Sequence, residues 1–176
     1  MMHRIFIEIF VGWLFMIISF VVAILIVVAD QLIKLLVVNT IKGGETVTIL
    51  NGLVKFIYCE NEGMAFGLLQ NFRWVFITFT CVVVVGVVIY ILKVKPKSKF
   101  LLASLSLILG GGVGNLIDRI FLGYVIDYIQ LSFFSPICNF ADYCVTIGTA
   151  MLVIYILFFT QEDNTTKLKE KAEQNE

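Results

Sequence analysis

The sequence predicts an all-α membrane protein with four transmembrane helices, a small extracytoplasmic β-rich cradle and an interfacial loop or helix. Composition is the first observation behind this fold class, because 60% of the residues are hydrophobic and 15% are charged. A soluble domain is about 45–50% apolar and about 25% charged. The second observation is four apolar runs, each near the roughly 20 residues that cross a bilayer. The third is that the charged residues gather at the ends of these runs.

The four runs cover residues 5–29, 72–92, 100–117 and 140–160, and a polar tail, 161–176, follows the last one. The first run follows M-M-H-R and so resembles a secretory signal at its start. It is much longer than the roughly 7–15 apolar residues of a signal peptide, and it continues into A-D-Q-L-I-K without a small-residue cleavage site. We therefore expect a retained first span and a single integral-membrane domain over residues 1–176.

The loop between the second and third spans sets the expected orientation. It reads K-V-K-P-K-S-K and carries four lysines in seven residues with no acidic residue. Basic loops remain on the cytoplasmic side of a membrane. We therefore expect this loop, both termini and the polar tail to be cytoplasmic, and the connections 39–71 and 118–139 to lie on the outer side.

Both outer connections have recognisable character. Residues 46–58 read T-V-T-I-L-N-G-L-V-K-F-I-Y, in which β-branched and aromatic residues surround an Asn-Gly step. This pattern predicts a β-hairpin, the core of the expected cradle. Residues 124–136 are mostly apolar and aromatic, which favours a loop or helix lying in the membrane interface.

Polar clusters interrupt this apolar chain near the predicted outer ends of the spans. They read D-Q-L-I-K at 30–34, N-E-G-M-A-F-G at 61–67, G-G-G-V-G-N-L-I-D-R at 110–119, V-I-D-Y at 125–128 and N-F-A-D at 139–142. Their aspartates, Asp30, Asp118, Asp127 and Asp142, all map to the outer side. None lies at the bilayer centre, where an ionised side chain costs most, so we expect each to be paired or functional.

The spacing within the clusters predicts local contacts. Asp30 and Lys34 are four residues apart on one helical face and are expected to form an ion pair. This pair either closes the outer end of the first span or orients a lipid head group or a loop. Gly110 and Gly114 form a small-x-x-x-small face that lets helices approach closely. Asn115 and Asp118 share a face of the same helix.

Asp127 and Asp142 each lie among apolar and aromatic residues. If the two carboxyls converge there, desolvation and like charge raise one apparent pKa, and the pair shares one proton. One carboxylate can then take a proton from water while the other donates a proton to a substrate carbonyl. The residues alone leave a catalytic pair, a structural network and an ion pathway all open.

The five motifs in this order resemble the lipoprotein signal peptidases, also called signal peptidase II. The resemblance covers roughly residues 29–147 together with the four-span topology. It implies a multi-pass aspartyl endopeptidase of the bacterial inner (cytoplasmic) membrane with its active site at the extracytoplasmic face. Such an enzyme removes the signal peptide from diacylglyceryl-modified prolipoproteins and cuts just before the lipidated cysteine.

The resemblance also implies roles for individual residues. Asp127 and Asp142 match the catalytic aspartates. The supporting or substrate-binding positions are Asp30, Lys34, Asn61, Gly63, Asn115, Asp118, Arg119, Asn139 and Ala141, with Asp118 expected to act together with Arg119. The chain departs from the family at Glu60, where an arginine is usual, and in a shorter connection between the two catalytic positions.

We expect prolipoproteins and membrane lipid as partners, and a monomer. The resemblance implies no metal and no cofactor, and the chain offers only His3 and no C-x-x-C for a Cys/His metal site. Zero formal net charge gives no attraction to nucleic acid. The rival classes are a small transporter, which predicts carboxylates through the membrane depth, and a non-catalytic scaffold. A presenilin-type protease is a third, but G-x-G-D is absent from the spans.

Overall fold

The computed structural model describes residues 2–44, 46–63 and 72–159, with side chains from residue 10 onward. Its helices are α1 Met2–Ile41, α2 Arg73–Val94, α3 Lys99–Phe121 and α4 Phe140–Ile154, and α4 continues into a π-helical turn, Tyr155–Phe159. Its strands are β1 Val47–Ile49, β2 Val54–Asn61, β3 Val125–Leu131 and β4 Phe134–Cys138. Residues 64–67 of the N-E-G-M-A-F-G motif and the predicted tail, 161–176, lie outside the described residues.

The four predicted transmembrane helices are confirmed. Apolar stretches long enough to cross a membrane occupy Phe10–Ile41, Arg73–Val94, Lys99–Phe121 and Phe140–Phe159. On α2, large apolar side chains such as Trp74, Phe79 and Val82 are exposed. Exposure along a whole helix suits contact with lipid and would be unfavourable in water. The chain is a multi-pass membrane protein.

Helix α1 continues well beyond the predicted end of the first span at residue 29 and ends at Ile41. The apolar pattern after Asp30 explains the extension, because Ile33, Val37 and Ile41 pack beneath the sheet. Asp30 and Lys34 therefore lie inside a helix, where both side chains are buried. Their surroundings are protein on every side and not the open end of a span.

Helix α3 packs against each of the other three helices. Glycines make the close approaches possible, as the small-x-x-x-small pattern predicted. A Cβ at Gly110 would lie 2.7 Å from the Ile26 side chain of α1, and a Cβ at Gly114 would lie 2.6 Å from Asp30 Oδ2. On another face of α3, a Cβ at Gly111 would lie 2.5 Å from the Ala141 carbonyl oxygen of α4. The two helices that carry Asp30 and Asp142 thus lie directly on α3.

The sheet is antiparallel with the order β1-β2-β3-β4. The predicted hairpin is confirmed, because β1 pairs with β2 across the turn Leu50–Gly52. Asn51 and Gly52 have φ values of 54° and 91° in this turn. Both residue types tolerate the left-handed region that a tight hairpin needs.

The prediction of an interfacial loop or helix over residues 124–136 is wrong in its secondary structure. This segment forms β3 and most of β4. Side chains alternate along β3, so Ile126 and Tyr128 point towards α1 and Asp127 points to the opposite face. In the register of the sheet, Asp127 pairs with Cys59 of β2. Residues 125–128 are all buried, so the segment is covered on both faces and lacks the alternation that identifies a half-exposed strand.

Candidate active site

The amino-terminal turn of α4 holds Asp142 in a fixed position. Asn139 is the N-cap, and its Oδ1 accepts the backbone N–H of Asp142 at 3.0 Å. In return, Asp142 Oδ2 accepts the backbone N–H of Asn139 at 3.0 Å. This reciprocal capping box is what N-F-A-D encodes. It places the carboxyl of Asp142 at the positive end of the α4 dipole, which favours the ionised form.

Asp127 reaches the same place from the sheet. Its side chain is 2% exposed. Oδ1 accepts the Asn139 side-chain amide at 2.7 Å, and Oδ2 accepts the Asn61 amide at 2.7 Å. Asn139 therefore donates to both carboxyls, to Asp127 from its side-chain amide and to Asp142 from its backbone N–H. The two carboxyls that the sequence singled out are brought together around this residue.

Asn115 on α3 completes the set of donors. Its Nδ2 donates to Asp142 Oδ1 at 2.7 Å. Its Oδ1 accepts from Lys34 Nζ at 3.0 Å and from Asn139 Nδ2 at 3.1 Å. Each of the four oxygens of Asp127 and Asp142 consequently accepts an N–H donor, which fixes both carboxyl planes.

Lys34 lies behind this layer as a buried cation. Its Nζ is 2.8 Å from Asp30 Oδ2 and 2.8 Å from Asp118 Oδ2. The predicted pair of Asp30 and Lys34 is present, and it includes a third member from α3. Asp118 and Arg119, which were expected to act together, contact different partners, because adjacent residues on a helix point in different directions. Asp118 takes its cation from α1 instead.

Arg119 covers the site from the side of α2. Its guanidinium carbon lies 5.3 Å from the ring centroid of Phe76. Nη1 donates to the Asn115 carbonyl at 3.4 Å. The carboxylates of Asp142, Asp127 and Asp118 are the negative charges that interact with this cation.

Residues before and after the two aspartates position the backbone of the site. Gly63 donates its N–H to Asn61 Oδ1 at 3.0 Å, which turns the amide nitrogen of Asn61 towards Asp127. Ala141 is fully buried, and its N–H donates to Asp30 Oδ1 at 3.2 Å. Each supporting position expected from the motifs therefore has a contact in or beside the site.

Glu60 faces away from the two aspartates. It accepts from Lys42 Nζ at 3.0 Å and from the Tyr58 hydroxyl at 2.8 Å. These partners lie on the α1 side of the sheet, and the hydrogen bond from Lys42 lowers the pKa of the Glu60 carboxyl. The acidic residue at this family position is thus compensated locally by a lysine at the end of α1.

Two residues that sequence reasoning missed also belong to the site. Gln31 Nε2 donates to Asp118 Oδ1 at 3.0 Å, to the Gly114 carbonyl at 3.2 Å and to Asp30 Oδ2 at 3.3 Å. The buried hydroxyl of Tyr128 accepts the backbone N–H of Phe140 at 3.2 Å. A glutamine beside an aspartate and a tyrosine in a strand carry no specific signal, although both lie inside the quoted motifs.

The electrostatics of Asp127 suit proton transfer. Burial, followed by the negative charge of Asp142, raises the pKa of Asp127 to about 7, while the hydrogen bonds from Asn61 and Asn139 act in the opposite direction. A carboxyl with this pKa can hold a proton at neutral pH and release it. The pair is therefore able to act as a general acid and a general base at the same time.

Fold and site together define a multi-pass membrane protein with a carboxyl pair, Asp127 buried and Asp142 half-buried, at one end of its helical bundle. The family model for signal peptidase (SPase) II matches residues 22–158. The chain belongs to the signal peptidase II family and is a peptidase. The resemblance drawn from the five motifs is confirmed.

Curated relatives and solved structures agree with this assignment. A lipoprotein signal peptidase from Halothermothrix orenii is 39% identical over 137 residues, covering 78% of this chain and 93% of the relative. One from Anoxybacillus flavithermus is 38% identical over 146 residues, covering 81% and 87%. A bacterial membrane enzyme solved by the in meso method at 1.9 Å resolution matches with a TM-score of 0.72 and 30% identity, covering 81% of this chain and 94% of that one.

Proposed function

We propose that this protein is a membrane aspartyl endopeptidase that removes the signal peptide from diacylglyceryl-modified prolipoproteins, cutting just before the lipidated cysteine. The observation that carries the proposal is the contact of Asp127 and Asp142 with one residue, Asn139. The relatives named lipoprotein signal peptidase support the substrate class.

In the proposed mechanism the pair carries one proton, located on Asp127. We place the one negative charge of the pair on Asp142, because its carboxyl caps the positive end of α4. Asp142 takes a proton from water as the water oxygen bonds to the scissile carbonyl carbon. Asp127 donates its proton to the carbonyl oxygen, so the tetrahedral intermediate forms without net charge on either oxygen.

Collapse of the intermediate reverses both proton transfers. Asp127 recovers the proton from one hydroxyl of the intermediate, and Asp142 gives its proton to the leaving nitrogen as the carbon–nitrogen bond breaks. The products are a carboxylic acid at the end of the signal peptide and a free amine on the lipidated cysteine. The pair returns to its starting protonation state, so no further reactant is needed.

We further propose that the site faces the extracytoplasmic side of the bacterial inner membrane. Support comes from the lysine-rich connection between α2 and α3, which lies at the opposite end of the bundle from Asn115 and Asp142. With a cytoplasmic connection, both termini are cytoplasmic and the sheet forms an extracytoplasmic cradle. A lipid anchor would hold the scissile bond of the substrate at the membrane surface, at the level of the two carboxyls.

The proposed unit is one peptidase domain acting as a monomer. Support comes from the donors that one copy supplies to all four carboxyl oxygens of the two aspartates, so a single chain can assemble the site. Membrane lipid and the lipidated substrate are the proposed partners.

The test is cleavage of a purified diacylglyceryl prolipoprotein by the purified protein in detergent. Wild type is expected to release the signal peptide, whereas Asp127→Asn and Asp142→Asn are each expected to lose cleavage while remaining folded. Glu60→Gln is the matched control, since it makes the same carboxyl-to-amide change outside the site. Cleavage that survives either aspartate substitution would reject the proposed pair.

A further inference from the structure

A second pair of aspartates lies directly behind the first. Lys34 Nζ is 2.8 Å from both Asp30 and Asp118. The three side chains are only 2%, 0% and 2% exposed, respectively. One cation thus serves two buried carboxylates from different helices, and such buried charges persist only when they are closely paired.

Each of these two aspartates binds the backbone next to one member of the proposed catalytic pair. Asp30 Oδ1 accepts the N–H of Ala141 at 3.2 Å, and Ala141 immediately precedes Asp142. Asp118 Oδ2 accepts the N–H of Ile126 at 3.1 Å, and Ile126 immediately precedes Asp127. The backbone before each candidate catalytic residue is therefore attached to a carboxylate that Lys34 binds.

Lys34 also acts on the side chain of Asn115. Its Nζ donates to Asn115 Oδ1 at 3.0 Å, and Asn139 donates to the same oxygen. An amide oxygen that accepts two donors fixes which way the amide points. The nitrogen of Asn115 consequently faces Asp142, to which it donates at 2.7 Å.

From these three links we infer that Lys34 is a positioning residue that sets the distance between Asp127 and Asp142, and with it their sharing of one proton. The inference rests on the proposed function. Asp142 is carried by α4 and Asp127 by β3, so their separation depends on what joins these elements. Without the cation, Asp30 and Asp118 would repel each other or take up a proton. Either response loosens the backbone before each catalytic residue.

A purely structural role for Lys34 makes a different prediction. In that case its removal would reduce the amount or the stability of folded protein, and each folded molecule would retain normal chemistry. A positioning role predicts altered chemistry in the folded fraction. The pH dependence of kcat distinguishes the two roles, because the coupling of two carboxyls sets the separation of their apparent pKa values.

Several other titratable or charged groups surround the pair and Lys34. They are Asp30 on α1, Asp118 and Arg119 on α3, Cys59 on β2, Tyr128 on β3 and Cys138 on β4. None of these residues is substituted in the Lys34 variants. Asp30 and Asp118 lose their cation in Lys34→Met, so their response is part of the effect inferred for the lysine.

The experiment measures kcat, KM and the pH profile of kcat for full-length Lys34→Met and Lys34→Arg, per folded molecule. Arginine keeps the charge, but its planar fork cannot place one nitrogen against two carboxylates and an amide oxygen. We expect kcat to fall on the order of 100-fold in Lys34→Met, as a misplacement near 1 Å can cause, with KM little changed. In Lys34→Arg the acidic and alkaline limbs of the pH profile of kcat should move towards each other. Lys42→Met, directly after the end of the same helix, is the control and should match wild type.

A folded Lys34→Met with wild-type kcat and pH profile would overturn the inference. So would a uniform alkaline shift in Lys34→Met with an unchanged profile in Lys34→Arg, since the lysine would then act through charge alone. If neither lysine variant folds, Asp118→Asn is measured instead. It keeps an oxygen for the Ile126 N–H and weakens the link to Lys34, so an unchanged profile there would also reject the inference.

Asp127→Asn and Asp142→Asn in the same assay separate this inference from the proposed function. If both are inactive and the lysine variants are normal, the positioning role fails and the catalytic pair stands. If either aspartate variant cleaves, the proposed function itself fails.

Discussion

The two ends of the helical bundle are built on different principles. At the end near the α2–α3 connection, apolar side chains pack against one another, namely Met16, Ile91, Leu101, Leu102 and Leu105. At the other end, polar side chains from α1, α3, the sheet and the start of α4 form hydrogen bonds and ion pairs. Apolar packing tolerates small displacements, whereas a hydrogen-bonded pair of carboxyls does not. Substitutions at the polar end should therefore change chemistry, and those at the apolar end should change stability.

Outside the proposed catalytic pair, the largest effect is expected at Gly114. A Cβ there would lie 2.6 Å from Asp30 Oδ2, so alanine must displace the carboxyl that binds Lys34 and Ala141. We expect Gly114→Ala to lower kcat on the order of 100-fold or more, measured as signal-peptide release per folded molecule. Gly112→Ala is the matched control on the same helix, because its nearest neighbour would be 3.6 Å away. Equal activity of the two variants would contradict the tight coupling at this end.

The next largest effect on kcat is expected from substitution of Asn61. Its amide is one of the two donors to Asp127, and this hydrogen bond lowers the pKa of that carboxyl. Removing it in Asn61→Ala should raise the pKa of Asp127 and move the alkaline limb of kcat to higher pH. A hydrogen bond to a charged group contributes about 1.5–3 kcal/mol, so kcat should fall by roughly 10- to 100-fold. An alkaline limb that stays in place would show that Asn61 does not act on Asp127.

A substitution at the apolar end should separate stability from chemistry. Leu105→Ala would leave a cavity among Met16, Ile91 and Leu101, and cavities of this kind cost about 2–5 kcal/mol in soluble cores. We expect a clear decrease in the thermal unfolding temperature in detergent and an unchanged kcat per folded molecule. A changed pH profile in this variant would mean that the two ends are coupled.

The smallest effect is expected at Glu60. Its ion pair with Lys42 is exposed on both sides, at 42% and 46%, and exposed pairs contribute little. Glu60→Gln should leave kcat and the unfolding temperature close to wild type. A large loss of cleavage would reveal a role for this acidic position in binding the substrate.

Local sequence patterns explain what could be predicted. The spans follow from long apolar runs, and the hairpin follows from Asn51 and Gly52. The five polar motifs identified Asp127 and Asp142 as candidate catalytic residues from the sequence alone. Each of these features is encoded within a few neighbouring residues.

Contacts between distant segments account for what the sequence could not predict. The extension of α1 depends on Ile126 and Tyr128, which cover Val37. The partner of Asp118 is Lys34 on another helix, and no local spacing reveals that pair. β3 was read as an interfacial segment because the sheet and α1 bury both of its faces.

The pH–rate profile of kcat tests the shared proton most directly. Burial and the charge of Asp142 raise the pKa of Asp127 to about 7, so the proton should be present below this pH and lost above it. We expect kcat on a diacylglyceryl prolipoprotein to fall as pH rises through about 7. We expect it to fall again at acidic pH, where both carboxyls are protonated and neither can accept a proton from water. A profile that is flat from acidic to alkaline pH, with binding unchanged, would contradict a shared-proton pair at Asp127 and Asp142.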